Sequence, residues 1–250
     1  MRLAALAIAG AWLAGCNTVP LDALAIDPGS LSRDLVAHWA FDETGGMGVA
    51  DSSGNHHDGV LTGGTWVGDG RFGGALRLAA GDRVTVAGFP QATAGWTVAG
   101  WTRASAADLA VSTSDDLAPI ISAETLRSGG WQINLDKRAD DQRFLAAYWA
   151  GAPVSDYVRV FCSCVEADRW VHLTAVWDGE RATLSLYRDE QQVGQARMPS
   201  PISTGDTTLS MGAWNQVGRF FSGDLDDFAV WRRPLQPVEI ATLSRDPRWQ

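Results

Sequence analysis

Lysine is almost missing from this 250-residue chain: Lys137 is the only one, and arginine supplies the remaining positive charge. Glutamate is sparse too, at positions 43, 124, 166, 180, 190 and 239. Twenty basic against 29 acidic residues leave a formal charge of −9, which repels phosphate backbones and excludes nucleic acid as a partner. The N-terminal apolar run, Leu3–Leu13, has eleven residues, against the about 20 a membrane-spanning helix needs. No Gly-x-Ser-x-Gly elbow, no His-Glu-x-x-His pair and no phosphate-cradling glycine loop occurs; the glycines fall at turns. These absences remove the serine-hydrolase, zincin and nucleotide-hydrolase classes.

What is present begins with an export signal. Met1 and Arg2 form a short basic start, Leu3–Leu13 supplies the apolar core of a signal peptide, and Leu13-Ala14-Gly15-Cys16 resembles a bacterial lipobox. That motif implies cleavage after residue 15, acylation of Cys16 and a mature chain of 235 residues whose formal charge is −10. Asn17 after the cysteine favours the outer membrane of the cell envelope. The alternative is an ordinary signal peptide with a chance cysteine near its cleavage site. Residues 16–34, with Pro20 and Pro28 and no sustained period, have the composition of a tether. The other two cysteines, Cys162 and Cys164, are two residues apart. They share one face of a strand and form either a local disulfide, if the chain bends, or a pair of free thiols.

From Leu35 onward the chain is a succession of short alternating runs. Leu35, Ala37, Trp39 and Phe41 share one face. Further strands are expected at 75–78, 83–87, 96–103, 118–123, 130–136, 144–149, 157–162, 170–177, 182–187, 192–196, 207–211 and 223–231. So many strands without helical alternation indicate an antiparallel sandwich or barrel. Only Gln236–Ser244, beside Pro234 and Pro237, suggests a helix. Residues 104–117 fit an insertion between strands, so residues 35–250 form one domain.

Several ordered segments resemble the laminin G-like, or concanavalin A-like, jelly-roll domains. They are Leu35–Glu43 (LVAHWAFDE), Asp51–Gly59 (DSSGNHHDG), Gly74–Leu78 (GALRL), Trp170–Gly179 (WVHLTAVWDG) leading into Leu184–Glu190, and Phe221–Trp231 (FSGDLDDFAVW) with Pro234-Leu235. Leu78 replaces an aromatic, and Glu190 replaces a hairpin glycine. The resemblance implies an all-β fold, a two-sheet antiparallel jelly-roll sandwich. It carries little about ligand, because such folds host many functions.

The resemblance also implies a structural calcium joining the first and last strands, held by Asp42 or Glu43 and by Asp227; calcium takes six to eight oxygen ligands. The competing reading has these carboxylates accepting backbone hydrogen bonds or pairing with Arg232 and Arg233. Asp51 and Asn55 fit turn caps, and His56 and His57 fit loop residues. Trp39, Trp101, Trp177 and Trp231 fit a core. Trp131-Gln132, Trp149 and Trp214-Asn215 combine rings with amides, as sugar-binding surfaces do, with core packing the competing role for each ring. Jelly-roll glycosidases carry Glu-x-Asp-x-x-Glu on one strand face, and a retaining pair lies about 5 to 5.5 Å apart; no such pattern occurs. The expected function is therefore a non-catalytic recognition module for an envelope or extracellular glycan or protein. The alternatives are an accessory structural lipoprotein and a divergent glycoside hydrolase.

Overall fold

The computed structural model describes residue 27 and residues 29–90, 94–109, 117–125, 129–137, 143–149, 158–198, 207–214 and 219–245. In chain order the elements are β1 (Leu35–Trp39), β2 (Gly48–Val49), β3 (Gly59–Thr62), β4 (Thr65–Val67), β5 (Ala75–Leu78), β6 (Arg83–Phe89) and β7 (Gly95–Ala104), then α1 (Ala106–Leu109). There follow β8 (Leu117–Thr125), β9 (Gly129–Asp136), β10 (Arg143–Trp149), β11 (Val158–Cys162), β12 (Trp170–Asp178), β13 (Thr183–Arg188), β14 (Gln191–Arg197), β15 (Thr207–Met211), β16 (Gly223–Trp231) and α2 (Pro237–Arg245). They form two antiparallel sheets. The first runs β14-β13-β12-β7-β16-β5-β4, with β1 also paired to β16, and the second runs β11-β10-β9-β8-β15-β6-β3-β2.

Period-two patterning places the core between the sheets. On β9, Trp131, Ile133 and Leu135 point inward; on β12 the inward set is Val171, Leu173, Ala175 and Trp177. Within the first sheet, neighbouring β7 and β16 leave no room at Gly100, where a Cβ would lie 2.4 Å from the Phe228 ring. Only glycine fits there.

The middle strands of the first sheet, β7, β12 and β16, are buried along nearly their whole length. Such strands lose the polar half of their alternation because something covers the outer face. The cover is α2 together with residues 30–35: Leu31, Ala99, Val176, Trp231, Ile240 and Leu243 form a second apolar cluster. Pro237 starts α2 at the position where its missing N–H is harmless, and Glu239 accepts from the Gln236 N–H at 2.8 Å, a capping arrangement. Arg233 clamps this layer. It makes a two-pronged pair with Glu239 at 2.7 and 2.8 Å and donates to the carbonyls of Ser30 and Arg33. The Trp231 indole N–H donates to the Leu31 carbonyl at 2.6 Å. The expected tether is therefore too long at its C-terminal end: residues 30–34 belong to the domain, held by an apolar anchor and carbonyl contacts that composition does not reveal.

Cys162 and Cys164 form a disulfide with a Cα separation of 5.2 Å. The bend at Ser163 after the end of β11 brings them within bridging range.

Candidate functional site

The outer face of the second sheet differs in chemistry from everything around it. On β9 the residues alternating with the core set are Gln132, Asn134 and Asp136, all buried. Ser122 lies between core Ile121 and Ala123, and Ser210 between core Leu209 and Met211, so both face the same way. Strand pairing puts them in line: Thr85 opposite Ser210, Ser210 opposite Ser122, Ser122 opposite Gln132. Four strands at the usual spacing make this a polar row about 14 Å long, with Asn134 one step along β9.

Three of its members are buried without hydrogen bonds. Ser122, Asn134 and Ser210 are each 0% exposed, and Ser122 Oγ, Ser210 Oγ, Asn134 Oδ1 and Asn134 Nδ2 have no partner among the described residues. Each such group costs about 1–3 kcal/mol, and such groups in a native fold call for an explanation. Hydroxyls and amides donate and accept hydrogen bonds but do not transfer protons near neutral pH, so the row suits recognition and not acid–base chemistry.

A cleft of about 830 Å³ opens mainly against β5, β7 and β16 of the first sheet, and no residue of the row lines it. Lys137, directly after Asp136, lines it together with Ser105, Phe220 and Ser222. An ion network forms one wall. Asp224 accepts from Arg77 Nε at 2.8 Å and from Arg103 Nε at 2.7 Å, and Arg103 also reaches Asp69 at 3.0 Å. Arg77 is held above the ordinary arginine range, chiefly by its hydrogen bond to Asp224.

The carboxylates expected at calcium lie around the loop that joins β4 to β5. Asp42 accepts from the Gly74 N–H at 2.6 Å. Glu43 accepts from the Ala50 N–H at 2.7 Å, and its other oxygen is buried without a partner. Asp227 faces the His38 imidazole at 3.1 Å. A register shift between Asp226 and Ala229, with Asp227 at φ 47°, breaks simple alternation here. Asp226, paired with Trp101 and so on the outer face of the first sheet, is fully buried there. One of its oxygens accepts from the Phe72 N–H at 2.9 Å, and the other has no partner. Burial pushes Asp226 up to about 8 against the pull of the Phe72 N–H, and the charges of Asp227 and Asp42 push the same way. Burial also raises Asp227, opposed by His38.

Among the described residues no three His, Cys, Asp or Glu side chains stand close enough to hold a metal by themselves. The carboxylates that leave a buried oxygen without a partner among the described residues are Asp226 and Glu43, and Asp42 lies near Asp226. Asp227 is engaged with His38.

The other expected site residues separate. Trp131 is a correction: it points into the core and stacks on Trp96 at 4.9 Å, because it alternates with Gln132 and so cannot share its face. Gln132 lies in the polar row. Trp149 pairs with Gly130 in the β9–β10 register. Trp214 is half-buried, with the Arg219 guanidinium 5.1 Å over its ring. Asn215 and Cys16 lie outside the described residues. Asp51 accepts from the N–H groups of His38, Ser53 and His57, and Asn55 donates to the carbonyls of Leu35 and Val36; both hold the turn against β1. Trp101 is buried on the outer face of the first sheet, its ring 5.2 Å from that of His172. Sequence reasoning missed Ser122, Asn134, Ser210 and Asp226. The alternation Trp-Gln-Ile-Asn-Leu-Asp over 131–136 is the signal that would have pointed to Asn134.

A family model described as the concanavalin A-like lectin/glucanases superfamily matches residues 78–241. No curated protein matches. Among solved structures, domain 4 of AbnA, a GH43 extracellular arabinanase from Geobacillus stearothermophilus in complex with arabinotriose, is similar at 18% identity and TM-score 0.66, over 85% of this chain and 98% of that one. The binding domain of Paraclostridial mosquitocidal protein 1 is similar at 17% identity and TM-score 0.67, over 86% of this chain and 52% of that one. The receptor binding domain of botulinum neurotoxin D is similar at 12% identity and TM-score 0.66, over 86% and 53%. The chain thus spans about half the length of these toxin fragments. These likenesses establish the jelly-roll sandwich.

Proposed function

The chain belongs to the concanavalin A-like lectin/glucanases superfamily, and from that premise we propose that it is a non-catalytic binding module taking a saccharide on the outer face of its second sheet. The observation that carries this reading is the polar row with four unpartnered atoms on Ser122, Asn134 and Ser210. Sugar hydroxyls both donate and accept, which is what hydroxyl and amide groups require. The GH43 domain's complex with arabinotriose supports a saccharide on this fold.

Calcium belongs to the proposal as a structural ion. Asp42 and Asp226, with backbone carbonyls, would hold it, and it would supply the positive charge that the buried Asp226 lacks. The Leu13–Cys16 motif, outside the described residues, supports lipid anchoring at the outer membrane, with envelope or extracellular glycans as partners. Mass spectrometry of the mature N-terminus tests that part: an acylated Cys16 is expected, and a free thiol there contradicts it.

Glycan-array binding of the full chain beside Asn134→Ala tests the main reading. Binding by the wild type that the variant loses is the expected result. Silence across a broad array refutes saccharide recognition and favours contact with an envelope protein.

A further inference from the structure

A second cleft, of about 720 Å³, lies on the other side of the sandwich, over the outer face of the first sheet. Four arginines line it, Arg71, Arg169, Arg188 and Arg245, with three carboxylates, Glu166, Asp189 and Glu190. The carboxylates are all engaged: Glu166 with Arg169 and Arg188, Glu190 with Arg245, and Asp189 with the His172 N–H at 3.2 Å and with Arg188 at 3.8 Å. Arg71 is the arginine left over. Its guanidinium lies 4.6 Å from the Trp101 ring centre and 4.7 Å from that of Phe72, with no ion pair among the described residues. Arg188 Nε is also buried without a hydrogen-bond partner.

We infer that this cleft binds an acidic saccharide, with the Arg71 guanidinium taking the sugar carboxylate. The lining is mostly charged and polar, which suits a hydroxyl-rich ligand better than an apolar peptide, and two indoles, Trp101 and Trp170, border it. A guanidinium stacked on aromatic rings keeps its in-plane N–H groups available for a two-pronged carboxylate contact. The position of Arg71 is fixed from below. The Phe72 N–H is bound by Asp226 and the Gly74 N–H by Asp42. A Cβ on Gly73, at φ 73°, would lie 2.4 Å from Asp42 Oδ1, so the loop follows one path. This site lies on the opposite sheet from the polar row, and neither depends on the other.

Isothermal titration of the full chain with trigalacturonate and with its methyl ester tests the inference, because esterification removes the charge and keeps the rings. The acid should bind, and the ester should bind about tenfold more weakly, the scale of one charge-assisted contact. Arg71→Gln, at an exposed position, should lose a similar factor for the acid at unchanged melting temperature. Equal affinity for acid and ester, undiminished affinity in Arg71→Gln, or no binding of trigalacturonate would overturn it. Triglutamate binding as tightly as trigalacturonate would overturn the saccharide assignment.

Discussion

The middle strands of both sheets bury polar groups on their outer faces, but those groups have different fates. Over the first sheet, beneath α2, several of them are paired, although Ser30 Oγ and the Trp101 indole N–H have no partner among the described residues. Thr97 Oγ donates to the Arg233 carbonyl and accepts from the Leu235 N–H, both at 2.9 Å, and Arg233 and Glu239 close a two-pronged pair. Over the second sheet, Ser122, Asn134 and Ser210 are equally buried and leave four atoms unpaired. The first pattern is how a fold seals an internal interface. The second is an energetic loss within the fold, and the proposed saccharide site rests on it.

Four expected outcomes sharpen or break this contrast, in falling order of effect. Trp131→Ala removes an indole that packs on the core side of β9. It should cost about 4 kcal/mol, measured by urea denaturation, and a loss under 1 kcal/mol would place the ring elsewhere. Glu239→Ala leaves Arg233 buried without its partner and should cost about 3 kcal/mol. A neutral result would remove the sealed-interface reading of the first face.

The third concerns His172, fully buried beneath Trp101, which burial pushes down to about 3. With the folded value below the unfolded one, the unfolded chain binds the proton first. Stability from this residue is therefore complete above about pH 6.5 and lost as pH falls toward 3. The wild type should lose about 2 kcal/mol more than His172→Gln between pH 6.5 and 5; parallel pH profiles for the two proteins would refute it. Smallest is calcium: its addition should raise the wild-type melting temperature and chelation reverse the rise, with Asp226→Asn insensitive to both. A wild-type melting temperature indifferent to both would end the calcium proposal.

Much of the fold could be read from alternation. The limits expected for β5, β15 and β16 coincide with those observed, and α2 differs by one residue at each end. β2, β3 and β4 were not anticipated, because strands of two to four residues among glycines carry too few alternating positions. The departure at Glu190 resolves locally: Asp189, at φ 53°, supplies the left-handed residue of the hairpin. The candidate site was less legible. Ser122, Gln132 and Ser210 become neighbours only through the register of β8 with β9 and β15, which joins positions as much as 88 residues apart. Trp131 misled because an indole suits a core and a sugar face equally well. The bulge after Asp226 leaves that residue, not Asp227, the more enclosed of the two.

The most direct test of the account changes Ser122, Asn134 and Ser210 together to alanine and measures melting temperature and affinity for the best array glycan on the same sample. Loss of unpaired polar groups should raise the melting temperature, while removal of their hydrogen bonds to the sugar should abolish binding. A destabilised protein that still binds with wild-type affinity would contradict the central claim.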